Sequence, residues 1–186
     1  HSIPGWSTVE GGLMIDLSPM KDVQVDPGSR LADVQPGVLW RELDAATQKH
    51  DLATPGGEIS DTGVAGLTLG GGIGWLSRMH GLASDNLLSV ELVTADGEVL
   101  TADDDTDPDL MWGLRGGGGN FGVVTSLEFD LHPVAEIYGG PIFYPVDHAA
   151  EVMRFYRDFI ETAPEELGAF FAFQIAPPLP FIPEER

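Results

Sequence analysis

The sequence contains no cysteine. Disulfides, thiolate metal sites and a cysteine nucleophile are thereby excluded, although the absence says little about compartment. Basic residues are scarce as well. Nine lysines and arginines stand against 30 aspartates and glutamates, a formal charge of −21, and Lys21 and Lys49 are the only lysines. A surface of that sign repels nucleic acid and anionic membranes. No apolar run approaches the roughly 18 residues of a membrane span. Neither nucleic acid nor membrane is therefore an expected partner. The first residue is His1, not Met, and no signal-like stretch follows it. A cytoplasmic location is the expectation. The acidity itself has two readings: a carboxylate shell suited to a salt-rich cytoplasm, or simply an acidic soluble protein. The run Asp103-Asp104-Asp105 reads as a solvated loop tip, not as a metal site.

What the chain has in quantity is glycine, 24 in 186 residues, with an apolar content of 42% that supports a globular fold. Six of these glycines fall between Thr62 and Trp75, interleaved with apolar side chains and free of charge. Glycine loses more conformational entropy on folding than any other residue, so such a density must serve a geometric need. A second concentration, Arg115-Gly-Gly-Gly-Gly-Asn-Phe-Gly122, follows. Two such segments suggest a large flat cofactor held along bare backbone, with amides meeting its polar edge. Tight turns around a sheet are the plainer alternative.

The spacing predicts strands at 13–17, 22–25 and 30–35, then a helix over 37–50 with Val38, Leu39, Leu43 and Ala46 on its inner face. Ala95-Asp-Gly97 between two β-rich runs predicts a hairpin of 89–94 with 98–102. Asp107-Pro108 predicts a short helix to about Leu114, with Asp as N-cap and Pro in the first turn. A long strand is expected over 119–131. Beyond a boundary near Val134 to Gly140, Asp147 is expected to cap a helix to about Thr162, with Val152, Phe155, Phe159 and Ile160 as its apolar stripe. A buried strand is expected over 169–176. The proline-rich stretch from Ala176 to Pro183 can close neither sheet nor helix, so the sequence is expected to be an excerpt from a longer polypeptide.

Gly117-Gly-Gly-Asn-Phe-Gly122 formally matches the dinucleotide fingerprint. That fingerprint works only between a strand and a helix, whereas here a helix precedes and a strand follows, which argues against a Rossmann domain. Neither segment contains Gly-Lys-Ser/Thr, so a P-loop is excluded.

Taken in order, Gly11-Gly-Leu-Met-Ile-Asp-Leu-Ser18, Val34-Gln-Pro-Gly37, Leu52-Ala-Thr-Pro-Gly-Gly57, the segment from Gly63 to Gly72, Arg78-Met-His-Gly-Leu82, Asp85-Asn-Leu87, Val93-Thr-Ala-Asp-Gly97, Asp109-Leu-Met-Trp112 and Arg115 to Val124 resemble the berberine-bridge-enzyme-like FAD-linked oxidases. These belong to the vanillyl-alcohol oxidase / p-cresol methylhydroxylase (PCMH) flavoprotein superfamily. The resemblance implies an α+β architecture: a partial PCMH-type FAD-binding domain over 1–135, then over 136–186 the start of an α+β substrate domain with an antiparallel sheet. It implies FAD as cofactor, a small-molecule substrate, and hydride transfer to flavin with oxygen as acceptor and hydrogen peroxide as product. A flavin dehydrogenase with another acceptor, or a non-catalytic flavin-binding protein, are the alternatives.

The same resemblance implies the site. His1, at the matching distance before Gly11-Gly12, is the candidate for a covalent bond to the flavin 8α-methyl carbon. Gly57, Thr62, Gly63, Gly66, Leu67, Gly70, Gly71, Gly72 and Gly74 are candidate cofactor-binding residues from the first segment. Asp85, Asn86, Gly119, Asn120, Gly122, Val123 and Val124 are candidates from the later ones. Gly57 matches a position where a small residue leaves oxygen a path. Ile59 stands where some members carry a second flavin-linking cysteine, and Leu67 where plant members often carry His, so one covalent bond at most is expected. His80 reads as a turn residue before it reads as a base. His50, His132 and His148, far apart in sequence, read as surface or cap residues. Trp75 and Trp112 read as core, and no catalytic base or metal ligand is identified.

Overall fold

The computed structural model describes residue 5, residues 8–173 and residue 175. The chain divides into two compact units, residues 1–140 and 141–186. In the first unit, β1 (Val23–Asp26) and β2 (Leu31–Val34) form a hairpin and lead to α1 (Trp40–Thr47). A two-residue strand β3 (Leu52–Ala53) and two short helices, α2 (Val64–Thr68) and α3 (Ser77–His80), follow. Then come β4 (Leu87–Val93), β5 (Val99–Asp103), α4 (Pro108–Leu114), β6 (Val123–Asp130) and β7 (His132–Pro133). Five strands make one antiparallel sheet in the order β1-β2-β6-β4-β5, and β3 pairs with β7 in a separate ladder.

One face of the sheet is the core. Ala32, Val34, Leu87, Val90, Leu92, Ala102, Leu127 and Phe129 are buried on it, under Trp40 and Leu43 of α1 and Met111 and Leu114 of α4. Trp40 meets Phe129 edge to face with ring centroids 6.3 Å apart. Strict alternation would put Leu87 and Val90 on opposite faces. A register shift between Leu87 and Ser89 brings both inward, and another between Glu91 and Leu92 does the same for Val124 and Leu127. The opposite face is solvated and acidic, with Asp33 directly opposite Glu128 and Ser89 paired to both Glu128 and Asp103.

The hairpin at Asp96-Gly97 forms as the sequence predicts, Gly97 taking φ +81°. Asp107 caps α4 by accepting from the Leu110 amide at 3.1 Å. Other expectations fail for identifiable reasons. Residues 13–17 form no strand, having no ladder partner among the described residues, and Leu13, Met14 and Ile15 are exposed. The helix expected from Gly37 starts at Trp40 because the amide of Gly37 bonds Met20 O and that of Val38 bonds Gln35 O. The long strand expected from Gly119 begins only at Val123, since residues 119–122 stay in the glycine loop.

In the second unit α5 spans Ala149–Ile160 after a short 3-10 turn, with His148, not Asp147, at its N-cap. Of its apolar stripe, Phe155 and Phe159 are exposed and stack on each other at 5.5 Å, while Val152 and Ile160 are half-buried. No strand forms over the described part of 169–176, where Phe170, Phe173 and Ile175 are exposed. Gln174 and Ala176 lie outside the described residues. A buried strand needs a neighbouring strand, which apolar composition cannot supply.

Candidate functional site

The two glycine segments meet. The amide of Gly118 donates to Leu69 O at 2.8 Å, which fixes the second segment against the end of α2. The first segment is folded by its own short-range bonds: Gly70 and Gly71 amides close on Leu67 O and Thr68 O. The turn after α3 returns to it, with the amides of Ala83 and Ser84 on Gly72 O and Gly71 O, both at 2.9 Å. Gly71 and Gly72 take φ +110° and +82°, a region closed to most side chains.

The glycines divide into two kinds. Several are demanded by the protein itself. A Cβ on Gly74 would overlap the Gly56 carbonyl oxygen, and one on Gly56 would enter the Trp40 ring. A Cβ on Gly57 or on Gly72 would lie 2.5 Å from a Leu67 methyl carbon, so Leu67 packs between two bare backbones. In the second segment a Cβ on Gly122 would lie 2.6 Å from Val93 O, and Phe121 covers Gly113 and Gly117. Three others have no such reason. A Cβ on Gly63, Gly66 or Gly119 would meet nothing within 4 Å. The sequence alone does not separate these two kinds, because both look like Gly.

Around this bare backbone the amides of Gly72, Ile73, Gly119 and Asn120 have no acceptor among the described residues. Ile59, Ile73 and Trp75 stand exposed beside it. Unused amide donors next to exposed apolar side chains such as Ile73 fit a ligand with a flat apolar face and a polar edge, such as FAD. Two cavities of about 220 Å³ lie elsewhere, on the acidic face of the sheet. They are open and lined by polar side chains such as Asp33 and Glu128, so the glycine surface is the better candidate on chemistry.

The remaining sequence-predicted residues take distinct places. Thr62 gives its carbonyl to the Trp40 amide, and Val123 and Val124 open β6 beside Gly122. Asp85 accepts from the Leu82 amide at 2.8 Å. The buried side chain of Asn86 is fully used by the protein, donating to His80 O at 2.9 Å and Leu82 O at 2.8 Å and meeting His132 Nε2 at 2.6 Å. Asn120 bonds Gly117 O at 2.8 Å without adopting a positive φ. His1 lies outside the described residues. His50 and His148 sit at a turn and a cap, as expected. His132 does not: it stacks on His80, centroids 3.8 Å apart and planes within 6°. Burial and the nearby His80 charge hold its pKa below that of a free imidazole. Trp112 and Trp75 are outside the core, 83% and 52% exposed. The acidic run is not wholly a free loop tip, because Asp104 grips Arg115, with Nη1 and Nη2 at 2.7 and 2.9 Å. Arg115 also donates twice to Leu87 O, at 3.1 and 2.8 Å, a role that no sequence signal marks.

Comparison with known proteins identifies the family. Residues 1–103 match the family model of the FAD binding domain. The chain belongs to that family, in its PCMH-type branch of FAD-linked oxidoreductases. It is 40% identical over 173 residues to an FAD-linked oxidoreductase of Dictyostelium discoideum, covering 92% of this chain and 38% of the relative. Among solved structures, 6-hydroxy-D-nicotine oxidase of Arthrobacter nicotinovorans is similar with a TM-score of 0.68 and 41% identity, covering 69% of this chain and 28% of that one. The wild-type glucose dehydrogenase Phl p 4 superposes with a TM-score of 0.73 at 32% identity, covering 82% and 32%. The chain thus spans between a quarter and two fifths of the length of these relatives.

Proposed function

We propose that this chain is the cofactor-binding part of an FAD-dependent oxidase acting on a small organic substrate with oxygen as acceptor. Residues 1–135 form the FAD-binding domain in this reading, and residues 136–186 begin the substrate domain. Bound flavin would supply the redox chemistry, hydride acceptance from the substrate and two-electron reduction of oxygen, with the proton lost by the substrate completing hydrogen peroxide. The protein's part is to bind and orient. The observation that carries the reading is the joining of the two glycine segments by Gly118 and Leu69, with open backbone at Gly63, Gly66 and Gly119.

In this arrangement the free amides of Gly72, Ile73, Gly119 and Asn120 would meet the polar edges of the cofactor. Gly70, Gly71, Gly74 and Gly122 shape the loops that present them. Leu67, Val123 and Val124 supply apolar support, and Thr62, Asp85 and Asn86 hold the flanking turns. His1 is the residue proposed to bond the flavin. Oxygen as acceptor is supported by relatives described as oxidases. It draws nothing from Gly57, whose open side Leu67 already fills.

The second reading is a dehydrogenase. Phl p 4 is described as a glucose dehydrogenase and a variant of it as a glucose oxidase, so acceptor choice in such proteins turns on small changes. The full-length protein in air decides between them: peroxide formed in step with substrate consumption is expected. Turnover with a dye and none with oxygen would reject the oxidase. Acid precipitation should leave the yellow colour in the pellet; colour in the supernatant would reject the His1 bond, and a colourless protein would reject the cofactor.

A further inference from the structure

The pairing of His80 with His132 links two distant pieces of chain beside the glycine segments. His80 ends α3 and leads into the turn that holds Gly71 and Gly72. His132 lies on β7, opposite Ala53 of β3. Asn86 bonds to both, to the backbone of His80 and to the ring of His132. Its amide nitrogen faces two carbonyl oxygens, those of His80 and Leu82, so its Oδ1 must be the atom turned to His132. Oδ1 only accepts. His132 therefore carries its proton on Nε2 and donates it to Asn86, which in turn clamps the turn after α3.

We infer that His132 is a positioning residue for the first glycine segment, acting through Asn86 and the His80 stack, and that the clamp loosens when the ring becomes an imidazolium. The Nε2 bond would survive protonation, but the half-buried cation would face the His80 ring at 3.8 Å. Of the charged groups nearby, Asp130 favours the cation and Arg30 opposes it. Asp51 leads into β3, and Asp85 keeps its carboxylate on the Leu82 amide. Burial is the largest influence and keeps the ring neutral. A folded-state pKa below the ordinary 6.5 means that the neutral ring stabilises the clamp above that pH. The contribution drains away as pH falls below it.

This extends the cofactor reading only in the purpose it gives the clamp; the clamp itself can be tested without it. Amide hydrogen exchange of residues 71–86 would be followed in the full-length protein at about pH 7.5 and about pH 5.5, corrected for intrinsic rates. Exchange should speed up by as much as about tenfold at the lower pH. His132→Gln keeps an N–H for Asn86 but cannot be charged, and should exchange equally at both. Equal exchange in the wild type, or a wild-type response in His132→Gln, would overturn the inference. Should that variant fail to fold, NMR titration of the wild type serves. The His132 ring signal and the Gly71 and Gly72 amides should shift with one shared midpoint below that of free imidazole, and separate midpoints would overturn it. Flavin absorbance is read separately. A colourless protein with the pH response intact would reject the cofactor and keep the clamp, and a yellow one without the response would do the reverse.

Discussion

Gly118 and Leu69 are joined by a 2.8 Å backbone hydrogen bond, and through it two loops separated by β4, β5 and α4 become one surface. Gly118 takes φ +73° to make that bond, a conformation that a Cβ would strain. The surface is thus a product of backbone geometry before any side chain contributes to it.

That geometry predicts opposite outcomes for two glycines of the same segment. Gly74→Ala places a methyl group on the Gly56 carbonyl, and backbone cannot swing aside as a side-chain tip would. Destabilisation of about 2 kcal/mol or more is expected. Gly66→Ala meets open space within α2 and should leave stability unchanged or raise it by up to about 1 kcal/mol. The same change should lower flavin content, because the new methyl intrudes on the open face. Thermal melts and the flavin-to-protein absorbance ratio of the full-length protein check both; a fully loaded Gly66→Ala protein would remove that face from the cofactor site.

Glu128 is the site of an electrostatic cost. It is held above the ordinary carboxylate pKa by burial first, then by Asp33 opposite and Asp103 beyond Ser89. An acid whose folded pKa is raised is favourable below its unfolded value, and that benefit is lost as pH rises through the folded one. Glu128→Gln should therefore stabilise at neutral pH by about 0.5 kcal/mol, allowing for solvent screening. Melting curves should show the gain at pH 7 and its disappearance in acid, where both residues are neutral.

Arg115 should prove intolerant of its nearest chemical relative. Its planar guanidinium serves Leu87 O and the Asp104 carboxylate at once, a geometry that an ammonium cannot reproduce. Arg115→Lys is expected to lose about 1 kcal/mol, mainly through the weakened bonds to Leu87 O. The accompanying sign would be faster hydrogen exchange in the loop 116–122. Full retention of protection there would show that Gly118 and Leu69 suffice.

The charge of −21 predicts a response to salt. Screening relieves repulsion among 30 carboxylates, so the melting temperature should rise between low and multimolar salt. Equal melting in both would leave the acidity without an adaptive meaning.

Much of the first unit was legible because its signals are local. Asp107-Pro108 states a helix start in two residues, and Asp96-Gly97 states a hairpin, since cap and turn geometry depend on nearest neighbours. Leu13 to Leu17 and Ala169 to Ala176 carry equally good strand composition and form no strand among the described residues. A strand depends on the neighbour that accepts its hydrogen bonds. The bulges between β4 and β6 were hidden for a related reason: two strands set a register together, and neither records it alone.

The candidate site divides along the same line. Its glycines, their order and their resemblance to FAD-linked oxidases are properties of the chain as written, and the ligand class follows from them. Which glycines face open space and which merely admit Trp40, Leu67 or Phe121 is decided by packing, because the same missing Cβ serves either purpose. His80 and His132 show the other half of that limit. In the sequence they are isolated residues with no ligand spacing. Only the β3–β7 ladder and the turn after α3 bring their rings face to face, with Asn86 bonded to both residues, and contact across such sequence distances is set by the fold.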